Sequence, residues 1–241
     1  MILDNLNGIL ERVDAAARRA GRDPKEVELV AITKKASVED VRTLLSSGKV
    51  RWLGENRVQD AKKRREALGA DAEKARWRFV GHLQTNKVNQ ALGVFDTIDS
   101  LDSLKLAEAL DKRLETAGKE LQVLVQVKLA DRDTQSGVSP EGLKDFLDRL
   151  SAFPRLKPSG VMAIAPMLDP LEAVRPHFRR LREAVRGAFA GRLPDGERPR
   201  ISSGMSRDFE IAIEEGADLV RIGTALFASS ENDLSQTSAT T

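Results

Sequence analysis

The 241-residue chain contains no cysteine, which excludes disulfides, thiolate metal sites and a cysteine nucleophile. Tyrosine is also absent, although there are 8 Phe and 2 Trp. Only 2 histidines are present, too few for a histidine metal cluster, and "HLQTNK" offers one of them with no carboxylate at ligand spacing. Charge of one sign is lacking too: 39 basic and 37 acidic residues leave a formal net charge of +2, so no whole-protein field holds a polyanion. The basic runs "KKRRE" (62–66) and "RRLRE" (179–183) have no aromatic interleaving and read as solvated helix faces, not as a nucleic-acid interface. No apolar run approaches the roughly 20 residues that span a bilayer. The N-terminal "MILDNLNGILERVDAAARRAG" mixes charge with apolar residues and lacks a signal-peptide core. A cytoplasmic protein with no membrane association is expected.

What is present is a repeated pattern. Leu3, Leu6, Ile9, Leu10, Val13 and Ala17 make a helical stripe that ends near Gly21. Eight short apolar runs follow: "VELVAIT", "RWLGE", "RFVGH", "VFDTID", "LQVLVQVKL", "PSGVMAIA", "RPRISS" and "ADLVRIG". Amphipathic stretches at 38–47, 58–68, 85–91, 103–117, 140–150, 171–190 and 206–215 separate them, with start signals at Ser37 and at Ser139-Pro140. Strand–helix alternation of this kind implies a parallel sheet. Eight such units fill the length of a closed (β/α)8 TIM barrel, here with an extra N-terminal helix. An open doubly wound sheet would carry a glycine-rich fingerprint after its first strand, where this chain has "TKKAS". One domain over residues 1–228 is expected, followed by a polar, disordered tail at 229–241.

In such a barrel the chemistry lies at the C-terminal ends of the strands. Those ends offer Lys34, then Gly54-Glu55-Asn56, Gly81-His82, Asp99-Ser100, Met162, "SSGMSRD" (Ser202 to Asp208, with Gly204 and Ser206) and "RIGT" (Arg221 to Thr224, with Gly223). Alone, Ser202, Ser206 or Thr224 reads as a helix cap. Two glycine–hydroxyl loops together, at the seventh and eighth positions, read as a phosphate cradle opening onto helix starts. Lys34 across the mouth suits a Schiff base with a phosphorylated aldehyde, because partial desolvation favours the neutral, nucleophilic amine. Alternation along the strand sends Lys35 to the opposite side, and register decides which lysine faces inward. Arg221 reads either as half of an ion pair or as a donor to a pyridine nitrogen; an arginine is no proton source there.

The motifs "LVAITK", "GENRVQDA", "FVGHLQTNK", "IDSLDSLKLAEAL", "SGVS", "GVMAI", "SSGMSRDFEIAIEEG" and "VRIGTALF" occur in order across residues 5 to 228. Together they make the sequence resemble the YggS/PROSC family of pyridoxal-phosphate homeostasis proteins, which look like the barrel domain of alanine racemase. The resemblance implies pyridoxal 5'-phosphate as the cofactor, held as a Schiff base on Lys34. It also implies a phosphate site at Ser202, Gly223 and Thr224, with Arg221 near the ring nitrogen; Gly204 and Ser206 of the same loops are expected to join the cofactor-binding set. Asn56, His82 and Met162 would line the pocket, though His82 reads equally as a hydrogen-bonded core histidine. The chain departs from the family pattern in having Lys35-Ala36-Ser37 in place of a Thr-Lys-Pro run, Arg57 in place of a tyrosine, and Ser203 and Arg207 within "SSGMSRD".

Alanine racemase, which the barrel resembles, uses a lysine and a tyrosine as its two bases. With no Tyr in the chain, a second base would have to be His82 or Asp99. The reading that follows is a binding protein, not an enzyme, that stores or delivers the cofactor and buffers its aldehyde, with apo-enzymes as partners and a monomeric state. A racemase of weak or unusual substrate use is the rival. A Schiff-base lyase acting on a sugar phosphate is a third class.

Overall fold

Each of the eight apolar runs forms a strand in the computed structural model, which describes residues 1–130 and 136–228. The strands are β1 (Glu28–Ile32), β2 (Trp52–Glu55), β3 (Arg76–Phe79), β4 (Thr97–Leu101), β5 (Leu121–Lys128), β6 (Leu156–Ile164), β7 (Arg200–Ser202) and β8 (Leu219–Ile222). All pair in parallel, in chain order, and β8 closes on β1 to complete a barrel. Helices α1 (Ile2–Arg19), α2 (Val38–Ser46), α3 (Val58–Leu68), α4 (Val88–Leu92), α5 (Leu104–Ala117), α6 (Leu143–Leu150), α7 (Arg175–Ala188) and α8 (Phe209–Glu214) surround it. The expected N-terminal helix packs between α8 and α2, in the gap left where β8 runs into a turn. A (β/α)8 barrel with an added N-terminal helix is therefore the observed fold.

Local chemistry explains the element ends. Leu6, Ile9, Val13, Ala16 and Ala17 of α1 are buried, while Leu3 at the frayed start of the stripe is exposed. Gly21, in the left-handed region at φ 67°, lets Arg22 N–H return to the Ala17 carbonyl at 2.9 Å. Ser37 and Asp40 form a reciprocal capping box at the start of α2. Ser139 does not start α6 directly: its Oγ accepts from Gly142 N at 3.1 Å, closing a turn, and the helix begins at Leu143.

Registers divide the strand residues between two faces. Leu29 and Ala31 join the shell of apolar residues between sheet and helices. Val30 packs instead with Trp52, Leu124, Met162 and Leu219 inside the barrel, where Ile32 reaches them from above. Arg78 shares that interior, 4.0 Å over the Trp52 ring and bonded to Asp99 at 2.9 Å. The alternation stops with β1 at Ile32, so the turn that follows, and not strand parity, places Lys34.

The arginines of "RRLRE" are not simply solvated. Arg179 and Arg182, with Arg175, converge on the buried Glu215 of the α8 C-terminus, while Arg12 and Arg19 of α1 bond Glu210 and Glu214. The expected tail, 229–241, lies outside the described residues. No helix among the described residues is long and apolar enough to cross a membrane.

Candidate functional site at the barrel mouth

A cavity of about 490 Å³ opens at the C-terminal end of the barrel. Seven of the ten residues expected from sequence line it: Lys34, Asn56, His82, Ser206, Arg221, Gly223 and Thr224. Lys34 lies beyond β1, not on it, in a turn closed by Ala36 N–H bonding the Thr33 carbonyl at 2.9 Å. Its side chain is exposed and has no partner among the described residues, so the expected desolvation is not provided by the protein alone. A ligand filling the cavity would provide it. Lys35, the next residue of the turn, is not part of the wall.

Beside Lys34, loops two and three are packed backbone to backbone. A Cβ on Gly81 would sit 2.2 Å from the Asn56 carbonyl oxygen, so only glycine permits the approach that sets Asn56 and His82 together. His82 is not a core histidine: its ring is exposed on the wall and its Nδ1 lies 3.1 Å from Asp102 Oδ2. Gln126 of β5 also reaches the cavity and donates to the Ser136 carbonyl at 2.8 Å. An apolar rim completes this side, built from Ile164 to Leu168 and Leu171, with Met167 71% exposed.

The two glycine–hydroxyl loops meet on the far side. Ser206 Oγ accepts the Ala225 N–H at 3.2 Å, and the Arg221 N–H donates to the Gly204 carbonyl at 3.0 Å. Gly204 has φ 88°, and a Cβ there would meet Phe209 Cα at 2.8 Å; its role is to bring the loop onto α8, outside the wall. Loop eight leads into a turn rather than the expected helix, with Leu226 and Phe227 N–H groups bonding the Gly223 carbonyl. Arg221 is buried inside the barrel. Its Nη1 donates to the Ser202 carbonyl and Oγ, each at 2.9 Å, and its Nη2 to the Ala163 carbonyl at 2.8 Å. Burial pulls its pKa down to about 10, against the opposing pull of Asp99 and Asp208. It remains cationic at neutral pH.

Ser202 therefore stands behind the wall, holding Arg221, and its hydroxyl is not offered to the cavity. Met162 is likewise outside the wall: it points inward from β6 but lies one inward position below Ile164 and is fully buried. Asp99 is fully buried and bound by Arg78 and Thr97, which removes it as a second base. Residues that escaped the sequence reading are Asp102, Gln126, the apolar rim and Arg64. Arg64 belongs to the "KKRRE" run, yet only 11% of its side chain is exposed. Nothing local marks it, because its partners lie on β2 and in the Lys34 turn. Among the described residues, no group of three or more His, Cys, Asp or Glu could hold a metal ion.

Comparisons with known proteins agree on one relationship. Residues 5–231 match the family model described as "Alanine racemase, N-terminal domain". The pyridoxal phosphate homeostasis protein of Aquifex aeolicus is 41% identical over 225 residues, 93% of this chain and 96% of that one. That of Pseudomonas aeruginosa is 36% identical over 230 residues, 94% of each. Among solved structures, PipY of Synechococcus elongatus with PLP bound is 33% identical and superposes with a TM-score of 0.77, covering 91% of this chain and 100% of its own. An alanine racemase from Clostridium difficile, 16% identical with a TM-score of 0.68, shares the fold; this chain spans 58% of it.

Proposed function

Since the chain belongs to the alanine racemase N-terminal domain family, and within it to the pyridoxal phosphate homeostasis proteins, we propose that it binds pyridoxal 5'-phosphate and holds it reversibly on Lys34. The observation that carries this reading is that Lys34, Arg221 and the Ser206, Gly223 and Thr224 loops share one cavity. When bound, such a ring would supply an aldehyde that condenses reversibly with an amine, with loss of water. Lys34 Nζ supplies the amine. Ser206, Thr224 and the Gly223 backbone take the phosphate, and the Arg207 guanidinium adds a cation to the same wall. Arg221 directs a hydrogen bond at the ring nitrogen and keeps its own proton, which leaves the ring a weak electron sink. Ile164, Ala165 and Met167 offer an apolar rim against which the ring would lie.

The role that follows is storage and delivery of a reactive aldehyde to apo-enzymes, not turnover of a substrate. His82 favours a second reading. It lines the wall with its Nδ1 3.1 Å from Asp102 Oδ2, so an imidazole oriented by that carboxylate is the group a racemase would use as second base. Titration with pyridoxal phosphate, read by absorption, tests the holding role: saturable binding that Lys34→Ala abolishes supports it, and binding that survives the substitution overturns it. Solvent deuterium separates the two readings. A carrier leaves the Cα of amino acids unlabelled, whereas a racemase labels it in a reaction that His82→Ala stops.

A further inference from the structure

The turn that carries Lys34 is held from outside the cavity by one guanidinium. Arg64, on the second turn of α3, donates from Nη2 to the Thr33 carbonyl at 2.8 Å and from Nη1 to the Ala36 carbonyl at 2.9 Å. Those carbonyls are the two ends of the turn, with Lys34 and Lys35 between them. Arg64 Nε in turn donates to Glu55 Oε1 at 2.9 Å, and Thr33 Oγ1 donates to the same oxygen at 2.6 Å. Thr33 N–H is also fixed, 3.1 Å from the Gly54 carbonyl. Glu55 is fully buried at the end of β2, so the assembly is anchored on the rigid barrel and not on a mobile loop.

The arrangement answers a problem that the Lys34–Lys35 pair creates. Both amines are exposed, both sit in one turn, and neither has a partner among the described residues. Rotation of the turn decides which of the two amines the cavity receives. Bidentate bridging of two carbonyls by a planar guanidinium fixes that rotation, which a single-point ammonium cannot do. We propose that Arg64, seated on Glu55, is a positioning residue that fixes the Thr33–Ala36 turn and so selects Lys34 over Lys35 as the reactive amine. The inference rests on the reading of Lys34 as the aldehyde-binding lysine, but the selection itself is a property of the unliganded protein.

That separation sets the experiment. Brief acetic anhydride labelling of the unliganded protein, followed by mass spectrometry, reads the Lys34:Lys35 modification ratio. Borohydride trapping with pyridoxal phosphate reads the rate and site of covalent capture. Two variants are compared, Arg64→Met and Arg64→Lys, with thermal melting as the control for folding. Arg64→Lys keeps the cation beside Glu55 and the fold, but cannot span both carbonyls. Both variants are expected to shift the acetylation ratio toward Lys35 and to slow capture at Lys34 by about tenfold or more, as loss of orientation does. A lysine variant that melts like the wild type yet keeps the wild-type ratio and capture rate overturns the proposal. Wild-type protein that shows Arg64-dependent selection but no pyridoxal adduct on Lys34 supports the positioning role and overturns the cofactor reading instead.

Discussion

The two ends of the barrel treat charge in opposite ways. At the N-terminal end, Asp218 is fully buried and its side chain is fully used: Oδ1 takes Arg22 at 2.8 Å and Arg198 at 2.5 Å, and Oδ2 takes the Ile201 N–H at 2.8 Å. Arg22 spends its other donors on the Ile213 and Ala217 carbonyls. At the C-terminal end, Lys34 has no partner among the described residues, His82 is exposed with one, and Met167 stands in solvent. Groups whose bonds are complete stabilise the fold, and groups left incomplete are available to a ligand. The contrast follows the division of labour between the two faces of a β/α barrel.

The sharpest break of this contrast is Lys34→Ala. It is expected to remove covalent capture completely while changing unfolding free energy by no more than about 0.5 kcal/mol, because an exposed, unpaired side chain contributes little to folding. Asp218→Ala should do the reverse. It leaves Arg22 without its buried counter-charge and is expected to cost about 3 kcal/mol in urea unfolding, with capture per folded molecule unchanged. The estimate is at the low end for a buried pair because Arg198 is half-exposed. Ser206→Ala tests the phosphate side of the mouth. Loss of one hydroxyl is expected to weaken pyridoxal phosphate binding by about fivefold, with no effect on pyridoxal, which lacks the phosphate.

Acid titration gives the smallest and most detailed comparison. Burial raises the Glu55 carboxyl above its ordinary 4.5, against the opposing pull of Thr33 and Arg64. The folded state therefore keeps this proton where the unfolded chain has released it, and stability falls as pH rises from about 4.5 through the folded value. Glu215 behaves oppositely: burial would raise it, but Arg179 and Arg175 outweigh burial and hold it below 4.5. Its contribution is present above 4.5 and is lost as pH falls through its folded value. Urea unfolding across the acid range should show Glu55→Gln removing the first slope and Glu215→Gln the second.

The barrel was legible because strands of a parallel sheet are buried on both faces and read as apolar runs between amphipathic helices. Between Lys34 and Lys35 the alternation left the choice open to register; in the fold Lys34 lines the cavity from a turn beyond β1 and Lys35 does not. Parity did not give depth. Met162 faces inward as the alternation requires, but its level in the barrel depends on where each strand stops and on the register shift between β5 and β6, neither of which is written in a local pattern. Ser202 stands outside the wall because the folded barrel brings Arg221 against it, a contact that no local pattern records. Arg64 shows the limit most clearly. Within "KKRRE" it is indistinguishable from its solvated neighbours, and its contacts appear only when α3 is laid beside the Thr33–Ala36 turn.

The proposed role requires that the mouth hold an aldehyde through one particular lysine. The most direct test is to mix the protein with pyridoxal phosphate, reduce with borohydride and map the modified residue by mass spectrometry. A single dominant adduct on Lys34 is expected. Modification scattered over exposed lysines, or none at all, would contradict it.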